Sequence, residues 1–144
     1  MQRYREIADR YTPAFIRVRY KRKRNGKLVV APAHASINPP EMLVPKPETL
    51  EALVYYLHEC AHFHLRHFTP SEADNQKLRH LYTGGDTDNL AHQEYEAEVW
   101  TIATLRREGI SVPASIIEDM RRYVKECLEL ENGKAPRRVK KFLR

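Results

Sequence analysis

Cysteine is scarce, two residues in 144, and glycine little commoner at five. Cys60 and Cys127 are too few for the disulfide framework of a small secreted domain; they suit a reducing compartment and read as buried small side chains. Five glycines and nine prolines exclude a collagenous or low-complexity chain, and 42% hydrophobic with 31% charged residues is a globular composition. No run approaches the roughly 18 apolar residues that span a bilayer, and the Arg-rich start, Met1 to Arg10, lacks the apolar stretch of a signal peptide. A cytoplasmic chain without membrane contact is therefore expected. Its length is that of one domain, residues 1–133, with a basic tail at 134–144.

The net charge of +6 conceals three blocks: +8 over residues 1–30, −8 over 31–131 and +6 over 132–144. Basic ends around an acidic centre predict one surface able to approach phosphates and another tolerant of a cation.

Tyr4, Ile7, Ala8 and Tyr11 recur at helical spacing, which predicts a short amphipathic helix from Gln2 to Tyr11, ended before Pro13. The period then changes. Ile16, Val18 and Tyr20 alternate with Arg17 and Arg19, and Asn25-Gly26 before Lys27-Leu28-Val29-Val30 is the signal of a β-hairpin. A third extended segment, Ala33 to Asn38, is followed by Pro39-Pro40, Pro45 and Pro47, which predict a loop. From Glu48 to about Phe68 the apolar stripe Leu50, Leu53, Val54, Leu57, Ala61 and Leu65 predicts the main helix. Thr69 to Asn89 reads as mostly irregular with one helical turn near Leu78 to Tyr82, and a loop of that length is often functional. Helices are expected again from Leu90 to Glu108 and from Ser111-Pro113 to Gly133. The fold class is thus α+β, a small twisted sheet of a hairpin plus an edge strand on about four helices.

Within the main helix stands His58-Glu59-Cys60-Ala61-His62, the H-E-x-x-H pattern. Imidazoles four residues apart share a helix face and can ligate one metal ion, while Glu59, about 100° round, can take a proton from water. Scattering the same His and Glu at random yields the pattern about 0.03 times. The bland alternative is a surface helix with two solvated histidines, but both rings border the apolar stripe, where an unpaired imidazole needs a partner. A catalytic zinc has three protein ligands and one open position. Candidates for the third lie in His92-Gln93-Glu94-Tyr95-Glu96-Ala97-Glu98. If Val99, Ile102, Ala103 and Leu105 face the core, Glu96 and His92 share one face, while Glu94 and Glu98 point about 200° away and read as solvated. Glu96 fits best. His92 has four readings: a ligand, a hydrogen-bond partner behind a ligand, an oxyanion donor or a helix cap. His80 and Tyr82 are further candidates for that donor. His64 and His67 read as surface side chains or hydrogen-bond partners of the ligands, and His34 has no assigned role.

Over roughly Ala35 to Leu105 the chain resembles the zincin metallopeptidases, and among them the ImmA/IrrE family of small gluzincins. The resemblance rests on the extended Ala35-Ser36-Ile37-Asn38, on Leu57-His58-Glu59-Cys60-Ala61-His62 with Leu65 three after, and on Glu94-x-Glu96-Ala97. The family's Asn and Phe-Ala after that Ala are here Glu98 and Thr101-Ile102. The resemblance implies one Zn2+ per chain on His58, His62 and Glu96, with Glu59 as the base that activates water and protonates the leaving amine. It also implies a small twisted sheet whose edge strand, Ala33 to Asn38, pairs with a substrate segment, and a protein substrate such as a helix-turn-helix repressor. Two rivals stand beside it. One is a SprT-like DNA–protein crosslink protease, which uses a third His. The other is a nucleic-acid-binding or antirestriction-type accessory protein of a mobile element.

Arg17, Arg19, Lys21, Arg22, Lys23, Arg24 and Lys27, with Tyr20 among them, form a concentrated basic patch on the hairpin. Such a patch suits non-specific, salt-sensitive contact with a phosphate backbone, and equally an ordinary solvated hairpin. Lys134 to Arg144 reads as an addition to it or as a disordered solubilising tail.

Overall fold

Helical spacing of Ile7 and Ala8 with Tyr4 and Tyr11 produces α1, Gln2–Tyr11, with Ile7 and Ala8 buried. The computed structural model describes residues 2–22, 25–27, 32–87, 89–131, 133 and 135–144. Its backbone contacts divide into two units, residues 1–85 and 86–144. Among the described residues the fold is α+β, with six α-helices, a 3-10 turn and one three-stranded mixed sheet. No helix there is long and apolar enough to cross a membrane.

In the first unit the sheet has the order β1-β3-β2, from β1 at Arg17–Tyr20, β2 at His34–Ile37 and β3 at Pro40–Val44. β2 and β3 form an antiparallel hairpin, with His34 opposite Leu43 and Ile37 opposite Pro40. β1 runs parallel to β3, with Arg17 opposite Glu41 and Tyr20 opposite Val44. One sequence expectation is corrected here. The loop expected from Pro39 onward is confined to residues 45–49: Pro40 heads the central strand, the position where a missing N–H is tolerated, and Met42 and Val44 are fully buried. Among the described residues the partner of β1 is β3. Asn25 and Gly26 do have the positive φ, 52° and 74°, that a tight turn demands. The expected return arm, Leu28 to Val30, lies outside the described residues, as do Lys23 and Arg24.

The main helix, α2, spans Leu50–His64, and Thr49 caps it by accepting from the Ala52 amide at 3.1 Å. It is buried almost all round: from Ala52 to Phe63 only Tyr55 and His62 are not buried. It packs on α1, β2 and β3, as a helix apolar on several faces must. Its C-terminus stops four residues short of Phe68 because Arg66 turns left-handed, at φ 60°. The His67 amide donates to the His62 carbonyl and the Arg66 amide to that of Phe63, both at 3.0 Å. This is the Schellman cap, with arginine in the place usually held by glycine. The Gly85 amide donates to the Arg66 carbonyl at 2.8 Å, and a Cβ on Gly85 would stand 2.3 Å from the Leu65 carbonyl oxygen, so no side chain fits there. Between these points the chain is more ordered than its composition predicts. A 3-10 turn at Pro70–Glu72 leads to α3, Gln76–Tyr82, capped by Asn75, which accepts from the Leu78 amide at 2.9 Å.

The second unit holds α4 at Leu90–Arg107, α5 at Ala114–Leu130 and α6 at Arg137–Leu143. Asn89 caps α4 by accepting from the His92 amide, and the Glu131 carboxylate accepts from the Leu90 and Ala91 amides at 2.9 and 2.7 Å. Three orphan donors and the positive helix end are thereby satisfied. α4 ends at Gly109, φ 79°, in the same Schellman pattern as α2. α5 is an amphipathic helix burying Met120, Val124 and Cys127. The expectation of a disordered tail is corrected: α6 buries Val139 completely and sets Phe142 edge-on against Tyr95, ring centroids 5.4 Å apart. One apolar side chain in each turn is enough to fold the basic segment back.

Candidate metal centre

One turn of α2 separates His58 from His62, and their Nε2 atoms face each other at 3.2 Å, with ring centroids 4.9 Å apart. Two neutral imidazole nitrogens at that distance carry at most one hydrogen between them. The arrangement therefore presents at least one lone pair where an electron-pair acceptor could sit. Glu59, next along the helix, is buried as well. Cys60 turns into the core, its sulfur 4.0 Å from that of Met42. Burial pushes its thiol well above the usual range, and the charge of Glu59 adds to the effect, so Cys60 is a packed side chain and not a nucleophile.

The next two histidines along the chain divide between different tasks. His64 is exposed and donates from Nε2 to the Tyr11 carbonyl at 2.8 Å, tying the end of α2 to the end of α1. His67 is buried, and its Nδ1 lies 2.9 Å from Nδ1 of His62. His34 is exposed on β2.

In the second unit α4 is rotated from the orientation expected of its sequence. Of the expected core face, Ile102 and Leu105 are buried, but Val99 is 39% exposed and Ala103 is exposed, and Ala91, His92, Glu94, Ala97, Glu98, Thr101 and Thr104 are buried as well. Glu94 and Glu98 are therefore not solvated, a correction. Glu94 is only 7% exposed, against 27% for the Glu96 side chain. The reason is steric: the inward face includes the small residues Ala91, Ala97, Thr101 and Thr104, which permit close backbone packing, and Thr101 satisfies its hydroxyl on the Ala97 carbonyl at 2.8 Å. The ladder of small residues at intervals of three and four was the available signal. Hydrophobicity alone favoured Val99.

Glu96 does share a face with His92, its carboxylate 3.7 Å from Nε2. The same Nε2 accepts from the Arg138 guanidinium at 2.5 Å and lies 3.4 Å from the Asp86 carboxylate. With its Nε2 lone pair engaged by Arg138, neutral His92 carries its proton on Nδ1. Among the described residues that buried Nδ1 is without a hydrogen-bond partner. Tyr82 donates its hydroxyl to the Ala14 carbonyl at 2.7 Å, and burial raises its pKa. His80 is exposed, with its carbonyl accepting from Arg66.

Of the basic residues, Arg17, Arg19, Arg22 and Lys27 are exposed, as is Tyr20. Arg19 pairs with Glu41 at 3.6 Å, and Lys21 donates to the Pro32 carbonyl, with burial lowering its pKa. Compared with protein-family models, with curated proteins and with solved structures, the chain matches none.

Proposed function

We propose that the chain is a zinc-dependent metalloendopeptidase of the zincin kind, acting on a cellular protein. The observation that carries this reading is the His58–His62 pair, two ring nitrogens converging at 3.2 Å beside a buried Glu59. A third donor comes from α4, and Glu94 takes that role in preference to Glu96. Glu94 is buried, whereas Glu96 is more exposed and its carboxylate lies near His92. Two imidazoles and a carboxylate form a donor set that suits zinc.

A bound zinc ion supplies Lewis acidity, which acidifies water and polarises a scissile carbonyl. His58 and His62 offer neutral Nε2 lone pairs. Glu59 accepts the proton of the attacking water and returns it to the leaving amine. His92 Nδ1–H, buried and without a partner among the described residues, keeps His92 a candidate for the oxyanion donor. Engagement of His92 Nε2 by Arg138 disfavours His92 as a ligand, and so favours a carboxylate-completed centre over the three-histidine rival. A second reading, non-specific contact with nucleic acid, draws support from exposed Arg17, Arg19, Tyr20 and Arg22 on and beside β1, and would bring the enzyme to a DNA-associated substrate such as a helix-turn-helix repressor.

Metal content by mass spectrometry tests the centre. One zinc per chain is expected in wild type and in Glu96→Gln, and its loss in His58→Ala and Glu94→Gln. A wild-type protein that stays metal-free after zinc is offered would overturn the reading, and loss in Glu96→Gln alone would return the third ligand to Glu96.

A further inference from the structure

We infer that His67 is a positioning residue for the metal centre, fixing the tautomer and ring plane of His62; this rests on the reading of His58 and His62 as ligands. Its Nδ1 stands 2.9 Å from Nδ1 of His62, with ring centroids 5.1 Å apart, and the side chain is 6% exposed. Two Nδ1 atoms at that distance cannot both be protonated, and if both were bare two lone pairs would oppose each other. One proton therefore lies between them, and the tautomers of the two rings are linked.

The same restriction applies at the other end of His62, where its Nε2 faces Nε2 of His58. Three neutral rings in a row have two proton arrangements. In one, His62 carries its proton on Nε2, donates to His58 and accepts from His67. In the other, His62 carries it on Nδ1 and donates to His67. Only the second leaves both Nε2 lone pairs available to a metal, once His58 also carries its proton on Nδ1. No proton is gained or lost by His62 and His67 in moving from the first to the second; each ring exchanges one N–H for the other. With a metal on both Nε2 atoms, His67 Nδ1 is the acceptor for the Nδ1–H that His62 then carries, as a carboxylate or carbonyl is behind many metal-bound histidines.

The backbone shows why position 67 can do this. A histidine five residues beyond His62 on a continuing helix would point well round the axis from it. Here the helix stops at Leu65, and left-handed Arg66 folds the chain back. The His67 amide is then bonded to the carbonyl of His62 itself, the residue whose ring it also meets. The Gly85 amide on the Arg66 carbonyl, and the Arg66 guanidinium on the His80 carbonyl at 3.0 Å, hold that reversal. A non-glycine residue kept at positive φ, and closed over by a glycine that cannot carry a side chain, is a locally costly turn that places this ring.

The test compares wild type, His67→Asn, which keeps a short polar side chain able to accept, and His67→Leu, which does not. Zinc affinity is read by chelator competition, and the Co2+-loaded forms by their visible absorption. His67→Leu is expected to bind zinc about 10–100-fold more weakly with an altered Co2+ spectrum, and His67→Asn to recover most of the affinity. Equal affinity and identical spectra in His67→Leu would overturn the role of His67 while leaving the metal centre standing. Absence of metal in wild type would overturn both. Should His67→Leu fail to fold, imidazole 15N resonances of zinc-loaded wild type decide. His67 protonated on Nε2 and bare at Nδ1 is the expected result, and a proton on His67 Nδ1 overturns it.

Discussion

Helices α2 and α4 end in the same two-bond Schellman cap, yet α4 turns on Gly109 at φ 79° and α2 on Arg66 at φ 60°. Glycine adopts that conformation without steric cost, whereas a residue with a Cβ pays about 1 kcal/mol or more. After Gly109 the chain continues to the buried Ile110 and on to α5. After Arg66 it places His67 on the ring of His62. The same local motif is thus a low-strain stop in one helix and a positioning device in the other. Its backbone shape is decided by the residue at the turn, and its use by the side chain one position later.

The largest effect expected to sharpen this contrast is catalytic. Glu59→Gln on α2 removes the proton acceptor and lowers peptide hydrolysis about 10²–10⁴-fold with zinc content unchanged, whereas Gln at Glu96 on α4 leaves hydrolysis near wild type. Measured turnover of a fluorogenic peptide pool by the two variants checks this, and full activity in Glu59→Gln removes the base assignment. Next in size is the orientation of α4. Leu105→Ala, at a fully buried position, costs about 2–5 kcal/mol in urea unfolding, while Val99→Ala costs about 0.5 kcal/mol or less. Equal losses would contradict the inward face of Ala and Thr. The caps come last. Gly85→Ala forces its Cβ onto the Leu65 carbonyl and costs about 1–3 kcal/mol, and Gly109→Ala about 1 kcal/mol. Arg66→Gly relieves the turn but loses an exposed hydrogen bond, so a net change within about 0.5 kcal/mol is expected by thermal unfolding. A large loss there would mean the arginine side chain outweighs its backbone.

How much of the two helices was legible in the sequence depends on the range of the interactions involved. His58, Glu59 and His62 are neighbours by helix geometry alone, so their convergence could be read from spacing. The choice among Glu94, Glu96 and Glu98 depends on how α4 is rolled about its axis, which tertiary packing of Ala97, Thr101 and Thr104 decides. Hydrophobicity pointed to Val99, Ile102, Ala103 and Leu105, of which only Ile102 and Leu105 are buried. His67 was hidden for a different reason. Its place depends on one residue, Arg66, adopting a backbone conformation that arginine seldom takes, and no periodicity signals that. Pro40 shows the converse error: a residue read as ending a strand begins one, because its missing donor falls at the first position of β3. The helical segment Arg137–Leu143 was obscured by its charge, although Val139 and Phe142, three apart, carry the apolar side that anchors it.

The sheet of the first unit carries a kinetic consequence. β2 and β3 meet across Asn38 and Pro39, a closure over two residues, so their ladder needs little loop entropy. β1 pairs with β3 across a longer separation in sequence, with β2 on the far side of β3. The hairpin is thus a template that forms early, and the basic strand docks onto it late. Val18→Ala should consequently accelerate unfolding far more than it slows refolding in stopped-flow experiments, and the reverse partition would place β1 in the nucleus. Until it docks, the edge of β3 that receives Arg17 to Tyr20 is open to any extended chain. The first partner of that edge is a segment carrying Arg17 and Arg19, whose repulsion between copies discourages neighbouring molecules from taking its place.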